Sequence, residues 1–135
     1  MKLTYTLTKP IKFVFDHLSD MNKFCSVHPI ISKIESIGNN NFKVSETLTV
    51  GFIPISFTYP ITINHDWENK KITMNAVVMK ITYVELIFTI KEEEGLTKVD
   101  ETITIKTLFL LKPFIKSIFK KQHEQLFKNI ENLKK

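Results

Sequence analysis

The sequence predicts an α+β fold: an antiparallel β-sheet of about seven strands, two short helices between the first two strands, and one long C-terminal helix. Three observations predict it. Residues 42–50, 55–63, 72–78, 84–90 and 99–105 alternate apolar and polar side chains, the period of strands with one buried face. Clusters that tolerate positive φ separate several of these runs: Gly38-Asn39-Asn40-Asn41, Glu68-Asn69-Lys70 and Glu92-Glu93-Glu94-Gly95. Finally, Leu111, Ile115, Ile118, Phe119, Gln122, Leu126, Ile130 and Leu133 recur at helical spacing, with Lys112, Lys116, Lys120 and Lys134 towards the other side. Successive hairpins imply a sheet with one solvated face, and the helix is expected to cover the other.

Each element has its own signal. Leu3, Tyr5 and Leu7 alternate with Lys2, Thr4 and Thr6 in a first strand. Thr8 is the expected N-cap of a first helix, with Pro10 in its opening turn and Ile11, Val14, Phe15 and Leu18 as its apolar stripe. Ser19-Asp20 ends that helix or caps the next, which covers residues 21–27 and stops before Pro29. Residues 31–37 form a strand, and Phe42, Val44, Glu46, Leu48 and Val50 share one face of the next. Gly51-Phe52-Ile53-Pro54 is an unusually apolar loop.

Ile55, Phe57, Tyr59, Ile61 and Ile63 then face one way, and His65 and Trp67 continue their frame. Pro60 should mark a bulge or a sheet edge. Ile72, Met74, Ala76 and Val78 precede a tight reversal at Met79-Lys80, after which Val84, Leu86, Phe88 and Ile90 point inward. Val99, Glu101, Ile103 and Ile105 form the inward frame of the last strand. Pro113 is tolerated only in a first helical turn, so the long helix begins near Lys112. Phe127 lies off its stripe.

Composition narrows the function classes. The chain's 135 residues make a single expected domain, 1–135, with 43% hydrophobic residues and an aromatic interior drawn from 11 Phe and 3 Tyr. Cys25 is the only cysteine, which excludes an intrachain disulfide and permits a reducing compartment. The N-terminus alternates rather than forming a signal-like apolar run, and no stretch approaches the ~20 apolar residues of a spanning helix. A cytoplasmic location is therefore expected. The net charge is +5, yet all 19 basic residues are Lys. Nucleic-acid readout favours the bidentate fork of Arg, so no nucleic-acid partner is expected. Three glycines and no phosphate-binding loop exclude the usual nucleotide sites.

Val14-Phe15-Asp16-His17-Leu18-Ser19-Asp20, followed by His28-Pro29-Ile30-Ile31-Ser32-Lys33-Ile34, resembles the opening of START-like domains, also called the SRPBCC or polyketide cyclase/lipid-transport superfamily. Glu94-Gly95-Leu96-Thr97-Lys98-Val99 resembles that family's turn before its final strand. The resemblance spans the whole chain in element order. An aromatic residue, often Trp, usually precedes the Pro in this family; here Ser26-Val27-His28 stands there. The resemblance implies a helix-grip fold, in which a curved sheet wraps the C-terminal helix around an apolar cavity. It further implies binding or transport of a small hydrophobic or amphipathic ligand such as a lipid, quinone or polyketide. Some members are cyclases or hydrolases, and others have no known ligand.

In such a fold the walls would be Phe57, Tyr59, Ile61, Met74, Ala76, Leu86, Phe88, Ile103, Ile115, Ile118 and Phe119. Glu46, Glu101 and His65 would be the polar fixtures, with Gln122 as a further hydrogen-bonding neighbour. Glu46 and Glu101 occupy the apolar frames of their strands, where a carboxylate is unfavourable without a partner. They either anchor a ligand headgroup, perform acid–base work, or reach solvent from a strand end or bulge. Cys25 and His28, with His17 and Asp20 nearby, lack the repeated spacing of a four-ligand zinc site, so neither metal nor cofactor is expected. Cys25 is also without an evident orienting carboxylate for a nucleophilic pair. Phe52-Ile53 and Leu108-Phe109-Leu110 are compatible with a portal, a transient membrane contact, a homodimer patch or a plug that completes the core.

Overall fold

A computed structural model describes residues 1–134; Lys135 and the side chain of Val50 lie outside the described residues. The elements run β1 (Lys2–Leu7), α1 (Ile11–Ser19), α2 (Met21–Val27), β2 (Ile31–Gly38), β3 (Asn41–Val50), β4 (Ile53–Asp66), β5 (Lys71–Val78), β6 (Thr82–Glu93), β7 (Leu96–Lys106) and α3 (Lys112–Glu131). All seven strands join one antiparallel sheet in the order β1-β7-β6-β5-β4-β3-β2. The chain meanders from β2 to β7, and β1 adds itself beside β7 through the pairing of Leu3 with Glu101.

Turn chemistry sets the hairpin registers. Glu94 and Gly95 both have positive φ and turn the chain in two residues with the twist that adjoining strands require, and Met79 and Lys80 have positive φ within the three-residue connection between Val78 and Thr82. The apolar loop is shorter than the sequence implies: β4 already begins at Ile53, which leaves Gly51 at φ 63° and Phe52 as the connection. Pro60 lies opposite Lys43 of β3. The β4–β5 ladder ends one residue away, at Ile61 and Ala76, so residues 53–60 pair with β3 alone. The missing N–H of Pro60 therefore falls where the sheet edge opens.

Helix starts differ in their chemistry. Asp20 caps α2, its Oδ1 accepting from the amides of Asn22 at 2.9 Å and Lys23 at 3.2 Å. Thr8 does not cap α1, whose N-cap is Pro10 without a side-chain bond. Instead the Thr8 amide and hydroxyl donate to the Glu131 carboxylate, the hydroxyl at 2.7 Å. That contact clamps the end of β1 to the end of α3. Asn129 Nδ2 donates to the Val27 carbonyl at 2.8 Å and ties α3 to α2.

The core lies between the inward sheet face, α1, α2 and the second half of α3. Val14, Phe15 and Leu18 of α1 and Met21, Phe24 and Val27 of α2 are all buried. The expected apolar stripe of α3 divides in two. Leu126, Phe127 and Ile130 are buried, whereas Ile115, Ile118 and Phe119 are half-buried and Leu111 is exposed. Phe127, placed off the stripe by spacing alone, is inside because β1 rises to meet it: the Tyr5 ring stacks on it at 4.0 Å. Among the described residues, no helix is long and apolar enough to cross a membrane.

Phe127→Ala should cost about 3–5 kcal/mol of stability, the usual penalty for emptying a packed aromatic site. Urea unfolding measures it, and a loss below about 1 kcal/mol would contradict the buried placement.

Candidate functional site

Beneath the first half of α3 the sheet and helix do not meet. A cavity of about 300 Å³ lies between them, at the small end of the range for ligand sites. The gap follows from the division of α3. Its second half sits down on β1 and β7, while its first half spans the open face of β3 to β6. Half-buried Ile115, Ile118 and Phe119 form the roof.

Of the residues singled out from the sequence, Glu46, Phe57, Tyr59, Ile61, Met74, Ala76, Leu86, Ile115, Ile118, Phe119 and Gln122 border this space. Four do not. Phe88 and Ile103 are buried in the floor. Glu101 is also buried there, and reaches the cavity only through another side chain. His65 is exposed near the far end of β4, four residues and roughly 13 Å of strand beyond Ile61. It approaches α1 instead, 6.2 Å from Phe15, and Trp67 packs edge-on against the same ring at 5.0 Å. Period-two reasoning gives His65 the right face and the wrong end.

The residue that spacing overlooks is His123. It is fully buried on α3, and its Nδ1 lies 2.5 Å from Glu101 Oε2. The legible signal is the run Phe119, His123, Leu126, Phe127, Ile130, at i, i+4, i+7, i+8 and i+11. Gln122, which the broader stripe favours, stands one position away. Phe88 stacks beside the His123 ring with centroids 6.3 Å apart, and Phe119 meets it edge-on at 5.5 Å. Glu101 fixes the ring by Nδ1, so Nε2 is the edge left for other partners. Glu101 Oε1 and the Tyr5 hydroxyl are buried without hydrogen-bond partners among the described residues. Burial first, and the Glu101 and Glu124 carboxylates second, hold the Tyr5 hydroxyl firmly protonated.

His28, which the sequence offers as a metal ligand or a partner for Cys25, also borders the cavity. Its Nδ1 accepts from the Ile30 and Ile31 amides, both at 3.3 Å. An accepting nitrogen carries no proton, so Nε2 carries it. Burial, then the charge of His123, lowers the His28 pKa to about 3. The two imidazoles stand perpendicular with centroids 6.3 Å apart. Glu46 is buried on β3 opposite Phe57 and Ile31. Burial raises its pKa, against the smaller downward pull of the Tyr59 hydroxyl and of His123. Burial, followed by Glu46, raises Tyr59 well above the ordinary phenol range. One end of an otherwise apolar hollow thus carries His28, Glu46, Tyr59, Gln122 and His123.

Cys25 is half-buried, its Sγ 3.8 Å from the Ile31 carbonyl. Among the described residues, no group of three or more His, Cys, Asp or Glu side chains is arranged to hold a metal ion.

The family profile for CoxG, a subunit of carbon monoxide dehydrogenase, matches residues 5–133. No curated protein matches the chain. Several solved structures share its fold. A conserved protein from Geobacillus kaustophilus superposes with a TM-score of 0.79 at 13% identity, covering 96% of this chain and 91% of its own. A START superfamily protein from Mycobacterium smegmatis gives 0.71 at 16% identity, covering 97% and 93%. The Zhui aromatase/cyclase from Streptomyces sp. R1128 gives 0.69 at 11%, covering 96% and 89%. At these identities the likeness is one of fold, the START-like helix grip expected from the sequence.

Two measurements test the electrostatics. A carboxyl whose pKa is raised by folding contributes stability below the ordinary carboxylate range and loses it as pH rises through its folded value. Glu46→Gln should therefore stabilise the protein near neutral pH and flatten the decline above the carboxylate range. Denaturant titrations at several pH values would show this, and a uniform destabilisation by Glu46→Gln would contradict it. His28 has the opposite sign: its contribution is present above the ordinary histidine range and is lost as pH falls towards about 3. Nitrogen NMR should find its ring neutral, with hydrogen on Nε2, from about pH 7 down to about pH 4; protonation near the ordinary value would refute the placement.

Proposed function

Since the chain belongs to the CoxG family of carbon monoxide dehydrogenase, we propose that it binds or carries a small hydrophobic or amphipathic ligand between its sheet and α3. The observation that carries this reading is a hollow apolar along its walls and polar at one end. The ligand's hydrocarbon part lies against Phe57, Ile61, Met74, Leu86, Ile115 and Ile118. Its polar head meets His28, Glu46, Tyr59 and His123. Glu101 acts from behind by fixing His123. Phe88 and Ile103 support the floor and do not touch the ligand, and His65 has no part in binding. The proposed occupant is a lipid, quinone or polyketide-like molecule. No cofactor is required for this role, and the single Cys25 is compatible with the proposed cytoplasmic location.

A second reading is supported by the Glu101–His123 pair alone. A carboxylate that orients an imidazole leaves Nε2 to accept or deliver a proton, the arrangement used by general acid–base catalysts. In that reading the protein is a cyclase- or hydrolase-type enzyme, and Glu46→Gln or Glu101→Gln abolishes turnover in a protein that remains folded.

Ala76→Trp separates cavity binding from adsorption to the surface. Ala76 borders the hollow, so the larger ring fills part of it. Overpacking costs about 1–3 kcal/mol, which leaves most small domains folded. Fluorescent fatty-acid or quinone-like probes should bind the parent protein in displaceable fashion and bind Ala76→Trp at least about tenfold more weakly, a loss of about 1.4 kcal/mol. Equal binding to both proteins, or no displaceable binding to the parent, would overturn the proposal.

A further inference from the structure

Two buried polar atoms are not used by the site, and they are neighbours. Glu101 spends Oε2 on His123, while its Oε1 has no hydrogen-bond partner among the described residues, and neither has the Tyr5 hydroxyl. Across the β1–β7 ladder Glu101 pairs with Leu3 and Tyr5 with Val99, which makes Tyr5 and Glu101 diagonal neighbours. Long side chains on one face reach each other at that spacing. On α3 their partners are one turn apart, Phe127 stacked on Tyr5 and His123 joined to Glu101. Native proteins leave few buried polar atoms orphaned, because each is costly. A hydroxyl hydrogen rotates freely, so a turn of the Tyr5 O–H, or one shared water, joins it to Oε1.

This polar row has an end in each of two hollows. His123 borders the cavity beneath α3. Tyr5 borders a second hollow, an open groove of about 260 Å³ between β1 and α3, with Leu7, Glu124, Phe127, Lys128 and Glu131. At 100° per residue, Glu124, Phe127, Lys128 and Glu131 form one stripe of α3. Ile115, Ile118, Phe119 and Gln122 form another on the opposite side, and His123 projects between the two. Glu131 is engaged by Thr8, whereas Glu124 is exposed and near enough for its charge to act on the Tyr5 hydroxyl. Everything else around the row is hydrocarbon: Phe88 and Phe119 enclose the His123 ring.

The cavity's exposed lining residues, Ile55, Met79, Ile81, Leu111 and Phe114, mark its mouth. His123 stands nine residues, roughly 14 Å of helix, beyond Phe114. A hydrocarbon tail filling that length separates a head group from the water at the mouth. We propose that Tyr5 and Glu101 form a proton path from the β1–α3 groove to His123, through which a head group in the cavity exchanges a proton with solvent behind a closed mouth. A head-group hydroxyl gives its proton to His123 Nε2 as the Nδ1 hydrogen passes to Glu101 Oε2. The carboxyl then turns about its last bond, a broad two-fold torsion, and presents that hydrogen to Tyr5. The Tyr5 oxygen accepts it while its own hydrogen leaves to water in the groove, so no phenolate forms. The head group has lost one proton, the groove has gained one, and the ring carries its hydrogen on Nε2 until the proton returns or the head group departs. Use of the path by a head group rests on the ligand reading; the path itself does not.

The Nδ1 hydrogen of His123 leaves by this path with or without a ligand, so its exchange with water in the full chain, read by saturation transfer on nitrogen-labelled histidine, tests it. Tyr5→Phe should slow that exchange about a hundredfold or more, the range lost with a positioned proton carrier. Thermal unfolding should match or slightly exceed the parent's, since the hydroxyl removed has no partner among the described residues. The backbone amides of Leu126 and Phe127 report opening of α3, and their exchange should be unchanged. Added decanol should leave the ring exchange of the parent unchanged. Failure of decanol to bind would remove the ligand reading and leave the comparison of Tyr5→Phe with the parent intact. Ring exchange unaltered by Tyr5→Phe, ring and amide exchange that slow together, or ring exchange that decanol alone suppresses would each overturn the proposal.

Discussion

Everything in this protein depends on how α3 is seated. Leu126, Phe127 and Ile130 are driven into the core, and His123 is joined to Glu101 one turn earlier. The Thr8–Glu131 and Asn129–Val27 hydrogen bonds lock the same end. The helix is rigid, so fixing one half determines where the other half goes. The first half is carried out over β3 to β6, whose curved face lies too far below for its side chains to fill the gap. The hollow is thus a consequence of docking a straight rod at one end of a bent sheet.

The buried Glu101–His123 pair is costly within such a core. Taking polar groups out of water is unfavourable unless each is fully hydrogen-bonded, and hydrophobic replacements of buried polar pairs are often neutral or stabilising. Glu101 Oε1, which has no partner among the described residues, adds to the cost. Stability alone gives little reason to place these groups on the inward faces of β7 and α3. Their position beside His28 and near Glu46, at one end of an apolar space, gives a functional reason. Polar groups in a low-dielectric hollow interact strongly with any polar atom that enters.

The fold is largely legible in the sequence because each element carries its own local signal. The period-two runs give strand faces, Glu94-Gly95 and Met79-Lys80 give hairpin reversals, and Pro113 gives the start of α3. The site is only partly legible, for two physical reasons. A strand's period tells which face a residue occupies and not how far along the sheet it lies, so it assigns His65 to a cavity that His65 does not reach. A helix's stripe is several residues wide, so it points to Gln122 where His123 is the more deeply buried neighbour. Phe127 is similarly undervalued, because its burial depends on Tyr5, a partner more than a hundred residues away in sequence. His28 carries no signal as a cavity residue, since its role follows from two backbone amides in a loop.

The central claim is that an amphipathic molecule enters the space beneath the first half of α3 with its polar end at the imidazoles. Isotope-filtered nuclear Overhauser spectroscopy, with unlabelled decanol added to carbon-labelled protein, addresses it most directly. Contacts from the alkyl chain to Ile61, Met74, Ile115 and Ile118, and from the carbinol protons to His28 or His123, are the predicted result. Contacts confined to surface residues such as Phe52 and Phe109, or none at all, would contradict it.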